Sequence, residues 1–549
     1  MTTKTTRFMK FTLAGLAMGL LCFALLITHV LTSDYDGLWY ADAAYQSGAW
    51  ELSLGRFMIP VIDYLRFALN VEPLQSVLTL GMLSAGSALL WELFSGDASG
   101  TVTDIKEKGC AMAFLALLCT SPAVCIFLSY RYTAPAYGLS YLLAIAAVWV
   151  LKRAGKPVEV QGIKPGKEEV LYTLLAALFL TLCLGTYQAH LGCACAVIVF
   201  YAVYLCLQQD TTVGDVLRFL VRSLIAGVLS CAVYKVLWDI AVAATKTEVP
   251  DYRGAQGLSV FGILRGLPFG IRQAYRFFYD QFFETANRYS LLQGTVLYRV
   301  LILAHVLLLV ILVLKGAGEK DISGQKKKRV LAGILLLLLP AACGVFCLLS
   351  NETGFISAQM TMPYMMVSPL IFALAVRFLP FRIPDSRIHR PKWYMPLVIL
   401  ICGITLYGRL CQTQVDQFVM YEGTNTTQRM VQDAVAKAQW DGLLEEDNKL
   451  MFIGVPAENS LFGKSVLFDK ANGYAQFGQF WRGPYPYWRC YGGLLRRMGV
   501  NREVPDLQTY VDLMELAEVK EMPVYPEEGC MLLLEDVVVI KFANELGGE

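Results

Sequence analysis

The sequence predicts a polytopic α-helical membrane protein that ends in a small α/β domain. Three observations carry the prediction. Uncharged apolar runs of roughly 20 residues, the length that crosses a bilayer, recur between residues 11 and 411. Only 17% of the 549 residues are charged, where a soluble globule averages about 25%. The charge is also divided. Gln412–Glu549 holds 12 Lys and Arg against 21 Asp and Glu, a net of −9, and the remainder holds 35 against 24, a net of +11. A basic membrane part, 1–411, and an acidic extracytoplasmic α/β part, 412–549, are the expected divisions.

Spans are expected near 11–31, 74–94, 110–128, 136–151, 170–187, 190–207, 219–243, 295–315, 330–349, 362–379 and 394–411, eleven in all. The first run follows Lys4, Arg7 and Lys10. It is too long for the apolar core of a signal peptide and lacks a small-residue cleavage site, so it reads as an uncleaved span. Lys and Arg set the orientation. They crowd the loops 152–169, 315–329 and 377–392 and are absent from 32–55. The N-terminus is therefore expected in the cytoplasm, with the 32–55 loop and the C-terminal part outside. Most of the 15 cysteines lie in apolar runs and none forms a CxxC pair, so they read as packing residues. Cys490 and Cys530 alone fall clearly in the tail, and nothing in the sequence requires a bridge between them.

The first outer loop reads Ser33-Asp34-Tyr35-Asp36-Gly37-Leu38-Trp39-Tyr40 and leads to Gly55-Arg56-Phe57. In an extended backbone, residues two apart point the same way. Asp34 and Asp36 would then face one substrate, or one divalent cation such as Mg or Mn. The competing reading is a solvated turn. Arg56–Leu69 follows, with apolar spacing that suggests a short surface helix and Pro60 near its first turn.

Two further outer segments are rich in polar aromatics. Ser129-Tyr130-Arg131-Tyr132-Thr133 sets one arginine among hydrogen-bonding side chains, and Gly185-Thr186-Tyr187-Gln188-Ala189-His190 lies in the next hairpin. Ionisable groups at such depth are functional suspects. Against that, Arg131 has the length to reach lipid headgroups, and His190 reads equally as a hydrogen-bonded packing residue. In 244–294, Arg265, Arg272 and Arg276 are spaced 7 and 4 on one helical face. Such a face either holds a lipid-linked phosphate or is drawn generally to anionic headgroups. In the tail, Lys449–Val455 and Met531–Phe542 read as strands and Thr509–Val519 as a helix. The run 477–488 is aromatic, suited to sugar stacking, to a bilayer surface or to a small core.

Taken in order between spans, Ser33-Asp34-Tyr35-Asp36 with Gly55-Arg56-Phe57, Leu128–Thr133 with Ala136-Tyr137, and Leu184–Ala189 resemble the bacterial type II O-antigen glucosyltransferase family. That family belongs to the GT-C class of membrane glycosyltransferases. The resemblance covers roughly the first 380 residues. Met522–Gly529 also resembles the outer domains that close many members. Many members read Tyr-Asp-Asp where Gly37 follows Tyr35-Asp36 here, and Gly-Arg-Trp where this chain has Gly-Arg-Phe. Asp36 and Asp34 therefore both stand for the family's catalytic position.

The resemblance implies transfer of a sugar, by the family's name glucose, from a polyprenyl-phosphate donor to a cell-surface glycan. The site would lie at the outer face of the bacterial plasma membrane. A carboxylate base, Asp36 or Asp34, would activate the acceptor hydroxyl and face an oxocarbenium-like transition state. Arg131 and Arg56 would neutralise the leaving phosphate, with Arg272 or Arg276 in reserve. Tyr130, Tyr132, Tyr187, Gln188 and His190 would contact substrate. No Rossmann fingerprint or nucleotide-binding loop is present, which agrees with a lipid-linked donor. The bilayer is the expected partner and nucleic acid is not. A transporter, flippase or polymerase of lipid-linked glycans would also use outer arginines, but a transporter would set its site between internal repeats, and none is visible.

Overall fold

The computed structural model describes residues 3–32, 34–95, 105–153, 165–250, 260–284, 287–315, 322–349, 356–379, 394–461, 463–478 and 481–544. Much of the basic loops 152–169, 315–329 and 377–392 lies outside them.

The N-terminal apolar run forms α1 (Thr3–Cys22), continued by α2 (Ala24–Thr28). Three short helices cap the bundle: α3 (Asp34–Trp39), α4 (Ala49–Ser53) and α5 (Ile59–Leu65). α5 has Pro60 in its first turn, where a missing N–H costs nothing. The bundle proceeds through α6 (Leu74–Ser95), α7 (Ile105–Cys119), α8 (Pro122–Ser129), α9 (Ala134–Arg153), α10 (Pro165–Thr186), α11 (Leu191–Leu207) and α12 (Val213–Thr245). Thr212 and Asp215 cap α12 reciprocally, each side chain accepting from the other's backbone N–H at 3.2 and 2.8 Å. Then come α13 (Val260–Phe283), α14 (Val296–Lys315), α15 (Ile322–Leu337), α16 (Leu339–Cys343), α17 (Val345–Leu349), α18 (Met362–Met365) and α19 (Val367–Phe378).

Among the described residues, seven helices are long and apolar enough to cross a membrane: α6, α9, α10, α11, α12, α14 and α20 (Tyr394–Trp440). α7 and α8, bent by 46°, make an eighth if counted as one span. These helices make the chain a multi-pass membrane protein. The other expected spans hold helices in pieces. Near 11–31 the chain breaks at Phe23, near 330–349 it breaks at Leu338 and Gly344, and near 362–379 the apolar helix is short. Pro340 and Pro363 open new helical turns, which a hydropathy reading does not see.

The bend before Pro122 frees two carbonyls, and α20 takes both. Ser121 N bonds Leu118 O, leaving Leu117 O to Arg409 Nη1 at 3.0 Å. Val124 N bonds Ser121 O, leaving Thr120 O to Thr413 Oγ1 at 3.1 Å. Buried backbone acceptors need partners, which gives the fully buried Arg409 a structural reason.

The division expected at residue 411 falls inside α20, which runs on for 47 residues. Beyond it are β1 (Lys449–Ile453), α21 (Pro484–Met498), α22 (Leu507–Glu515), α23 (Ala517–Glu521), β2 (Met531–Leu534) and β3 (Val537–Lys541). β3 is central, parallel to β1 and antiparallel to β2, and every residue in it is buried. Its Val-Val-Val-Ile run suits a strand covered on both faces. A second hydrophobic cluster gathers Met430, Val431 and Ala434 of α20, the sheet, and Tyr491 and Leu494 of α21. It also takes in Leu38 of α3. Cys490 and Cys530 are buried, and no disulfide joins them.

Candidate active site

Residues 34–39 are helical, not extended. Helical positions two apart lie about 200° apart, so the pleat argument for a shared Asp34/Asp36 face does not apply. Ser33 and the side chains of Asp34 and Tyr35 lie outside the described residues. The helix forms because it is packed. Leu38 is fully buried, and Gly493 of α21 lets the two helices touch, since a Cβ there would overlap Leu38 O. Trp39 meets Trp488 at 4.7 Å between ring centroids. Arg489 Nη2 lies 3.2 Å from Asp36 Oδ1, and Asp36 is 31% exposed. The guanidinium also sits 5.3 Å from the centroids of Trp39 and Tyr40. Burial raises the Tyr40 phenol above its usual range, against the pull of Arg489.

A buried frame holds the next segment. Asp63 and Arg66 pair at 2.7 Å, 1% and 3% exposed. Asp63 also accepts from Ser47 N at 2.7 Å, and Arg66 Nη2 donates to Tyr132 O at 2.7 Å. Asn70 Nδ2 donates to Tyr40 O and Asp42 O at 2.8 and 2.9 Å. Glu51 accepts from Tyr45 Oη at 2.5 Å and from Gly48 N at 2.9 Å.

Gly55-Arg56-Phe57 is locked to Gly185–Gln188. Gly55 has φ +78°, and a Cβ there would overlap the Tyr234 hydroxyl. A Cβ on Gly185 would overlap the Phe57 ring. Met58 N donates to Gly185 O at 2.9 Å, and Gln188 Nε2 donates to Leu54 O at 2.6 Å and to Tyr234 Oη at 3.0 Å. Arg56 is thereby aimed over the Tyr187 ring at 5.4 Å. Among the described residues no carboxylate lies within ion-pair reach of it.

These elements enclose a cavity of about 2520 Å³. Its polar end is lined by Asp36, Glu51, Arg56, Tyr132, Tyr187 and Gln188, with Tyr130 beside them. From there it continues as an apolar slot between α11, α12 and α16–α17, past Ile198, Leu224, Val228, Ala342, Val345 and Leu349. The slot's wall on α12 runs from Leu220 to Trp238, about 27 Å at 1.5 Å per residue. Leu224 and Val228 line it while 66% and 63% exposed, so it opens sideways where lipid would lie. The start of α1 and the ends of α6 and α9 are at the opposite end, where Arg7 pairs with Glu92 at 2.6 Å and Lys152 Nζ reaches Leu93 O at 2.9 Å.

Asp36, Arg56, Tyr130, Tyr132, Tyr187 and Gln188 thus meet in one cavity. Arg131 is not in its lining. Its Nη2 donates to Ala41 O at 2.5 Å, and it is 7% exposed. His190 is fully buried behind the lining, edge-on to Phe127, Tyr137 and Tyr187. Arg272 and Arg276 lie on the exposed face of α13, outside the lining, with Arg276 3.6 Å from Asp280. Among the described residues no three His, Cys, Asp or Glu side chains gather as a metal site.

Glu51, Tyr40, Arg288 and Arg489 line the cavity without a sequence signal that singles them out. Arg489 stands in the aromatic run 477–488 plus one, so the run's sugar-stacking reading pointed near it. Of that run Phe477, Trp481 and Tyr487 fill the second cluster, while Tyr485 and Trp488 face the cavity. Arg288 Nη2 donates to Asp469 O at 2.6 Å and fastens the 468–476 wall. Gln412 and Asp416 of α20 hold the same wall, Asp416 accepting from Asn472 N and Tyr474 Oη at 2.9 Å.

A polar pocket continuous with a lipid-open slot is suited to a head group carried on a long apolar tail. The family model described as Glucosyl transferase GtrII matches residues 37–374. That span takes in Arg56, the two tyrosine segments and the whole slot, and leaves Asp36 and Arg489 outside its ends. No curated protein and no solved structure matches the chain. A match over more than half of the chain, on the part that builds the cavity, makes this chain a member of the GtrII glucosyl transferase family, and so a membrane glycosyltransferase.

Proposed function

We propose that the chain moves glucose from a polyprenyl-phosphate donor to a hydroxyl of a cell-surface glycan, in the manner of a GT-C enzyme. The reaction would run at the extracytoplasmic face of the bacterial plasma membrane. The observation that carries this is the continuity of the cavity, polar at one end and apolar and laterally open along the rest. A polyprenyl chain fits the slot, and its phosphate and sugar fit the polar end. Lys152 and Arg153, at the end of α9, and Lys328, which donates to Thr211 O just past α11, lie toward the other end of the bundle, which supports the outward orientation.

In this reading Asp36 is the general base. It takes the proton of the acceptor hydroxyl as that oxygen bonds to the anomeric carbon. The bond from that carbon to the phosphate oxygen breaks, and polyprenyl phosphate leaves with the electron pair. Arg56 meets the growing negative charge; among the described residues no carboxylate forms an ion pair with it. Arg131, directed to a backbone carbonyl, is the weaker candidate. Asp34 remains the second carboxylate.

The test is transfer of labelled glucose from short-chain polyprenyl-phosphate glucose to envelope glycan, in membranes holding the wild type or Asp36→Asn. Transfer by the wild type alone supports both donor and base. Equal transfer by both removes Asp36 as the base. No transfer by the wild type removes this donor, and a lipid-flipping assay then decides for transport.

A further inference from the structure

Two helices from opposite ends of the chain meet at the mouth of the cavity, and their rings are sorted by helical period. On α21, Tyr487 and Tyr491 point into the second cluster, Trp488 packs against its rim, and Tyr485, Trp488 and Arg489 line the cavity beside α3. On α3, Leu38 is buried, and Trp39 and the following Tyr40 line the cavity. Tyr485 stands 6.2 Å from Trp488, and Trp488 4.7 Å from Trp39, between ring centroids. Arg489 Nη1 donates to Tyr485 Oη at 2.8 Å, and its other arm lies on Asp36. The rings are not wholly consumed by packing: Tyr485 is 44% exposed, and Trp39 and Trp488 are half-buried.

We propose that α3 and α21 form a sugar-binding acceptor subsite, with Tyr485, Trp488 and Trp39 as its aromatic wall and Arg489 as its polar edge. Pyranose rings present a face of C–H groups that packs on aromatic faces, and their hydroxyls bond to a guanidinium. The wall adjoins Asp36, whereas Arg56 and the slot lie toward Tyr187 and α12. Donor and acceptor would therefore approach the base from different sides, as transfer between two sugars requires. The inference rests on the glycosyl-transfer reading but not on the identity of the donor. It places all of the acceptor wall except Trp39 in a segment that lies beyond the family match.

The experiment measures binding of detergent-solubilised, full-length protein to immobilised envelope glycan with no donor present. Wild type, Tyr485→Phe and Tyr485→Ala are compared. Tyr485 is exposed enough that its loss leaves the second cluster intact, and Trp488→Phe serves as an independent second variant. The expected result is roughly tenfold weaker binding by Tyr485→Ala, near wild-type binding by Tyr485→Phe, and a smaller loss for Trp488→Phe. In the transfer assay, the same Tyr485→Ala change raises the KM for glycan and leaves the KM for the lipid donor within about twofold. Wild-type protein that does not bind glycan, or Tyr485→Ala that binds as wild type does, overturns the subsite. Failure of the donor reading would show instead as glycan binding without transfer from polyprenyl-phosphate glucose.

Discussion

Two aspartate–arginine pairs sit under the same cap of the bundle and do different work. Asp63 and Arg66 are sealed, with every arm engaged by Ser47, Leu69 and Tyr132. Asp36 and Arg489 pair in the lining of the large cavity, where the Asp36 side chain is 31% exposed. The chemistry of the pairs is the same, and in the function we propose their surroundings separate frame from site. A buried pair is costly to break because a charge is left without water or partner. A pair at a cavity wall can hand one member to a substrate.

That contrast can be broken by experiment. The largest effect is expected from Asp36→Asn, which should lower glucose transfer by about 10³-fold with normal protein level in membranes. A fall of less than tenfold would place Asp36 with the frame. Asp63→Asn should act the other way, through stability. It strands Arg66, costs about 3–5 kcal/mol, and should lower the thermal unfolding midpoint in detergent; an unchanged midpoint would deny the frame its role. Arg56→Ala should lower kcat by about 10²-fold, and Arg56→Lys should recover part, since charge persists without the planar fork. Recovery to full activity would show that charge alone suffices. Smallest are Arg272→Ala and Arg276→Ala on the exposed face of α13. Exposed changes stay within about 0.5 kcal/mol, so transfer should stay within about twofold. A large loss there would move the phosphate contact away from Arg56.

The same two pairs explain what the sequence discloses. Spans are local facts, and an apolar run such as 74–94 becomes α6 with little interpretation. The tail strands are also local, since Val537–Lys541 is nearly all β-branched. The gathering of Gly55-Arg56-Phe57, Tyr132 and Gly185–Gln188 is only partly foreshadowed by their composition, since tyrosines at span ends also serve as plain interface anchors. The Asp36–Arg489 contact is not local. It depends on Gly493 admitting Leu38 O, and no pattern at either end announces the other. For the same reason α3 reads as a loop in isolation. Its helix draws on packing against α21 rather than on the propensity of Asp-Tyr-Asp-Gly. The surroundings of Arg131 are equally non-local: its neighbours Tyr130 and Tyr132 line the cavity, while one arm of its own guanidinium donates to Ala41 O.

Leu38, buried in the cluster that β3 completes, also fixes an order of assembly. Chains emerge N-terminal end first, so α3 leaves the ribosome early and waits for residues near the end of the message. Until α21 and β3 arrive, Asp36 has no arginine beside it and the mouth of the cavity has no second wall. An unfinished chain thus carries the apolar slot without the finished mouth, and the cavity has all its walls only once translation is complete.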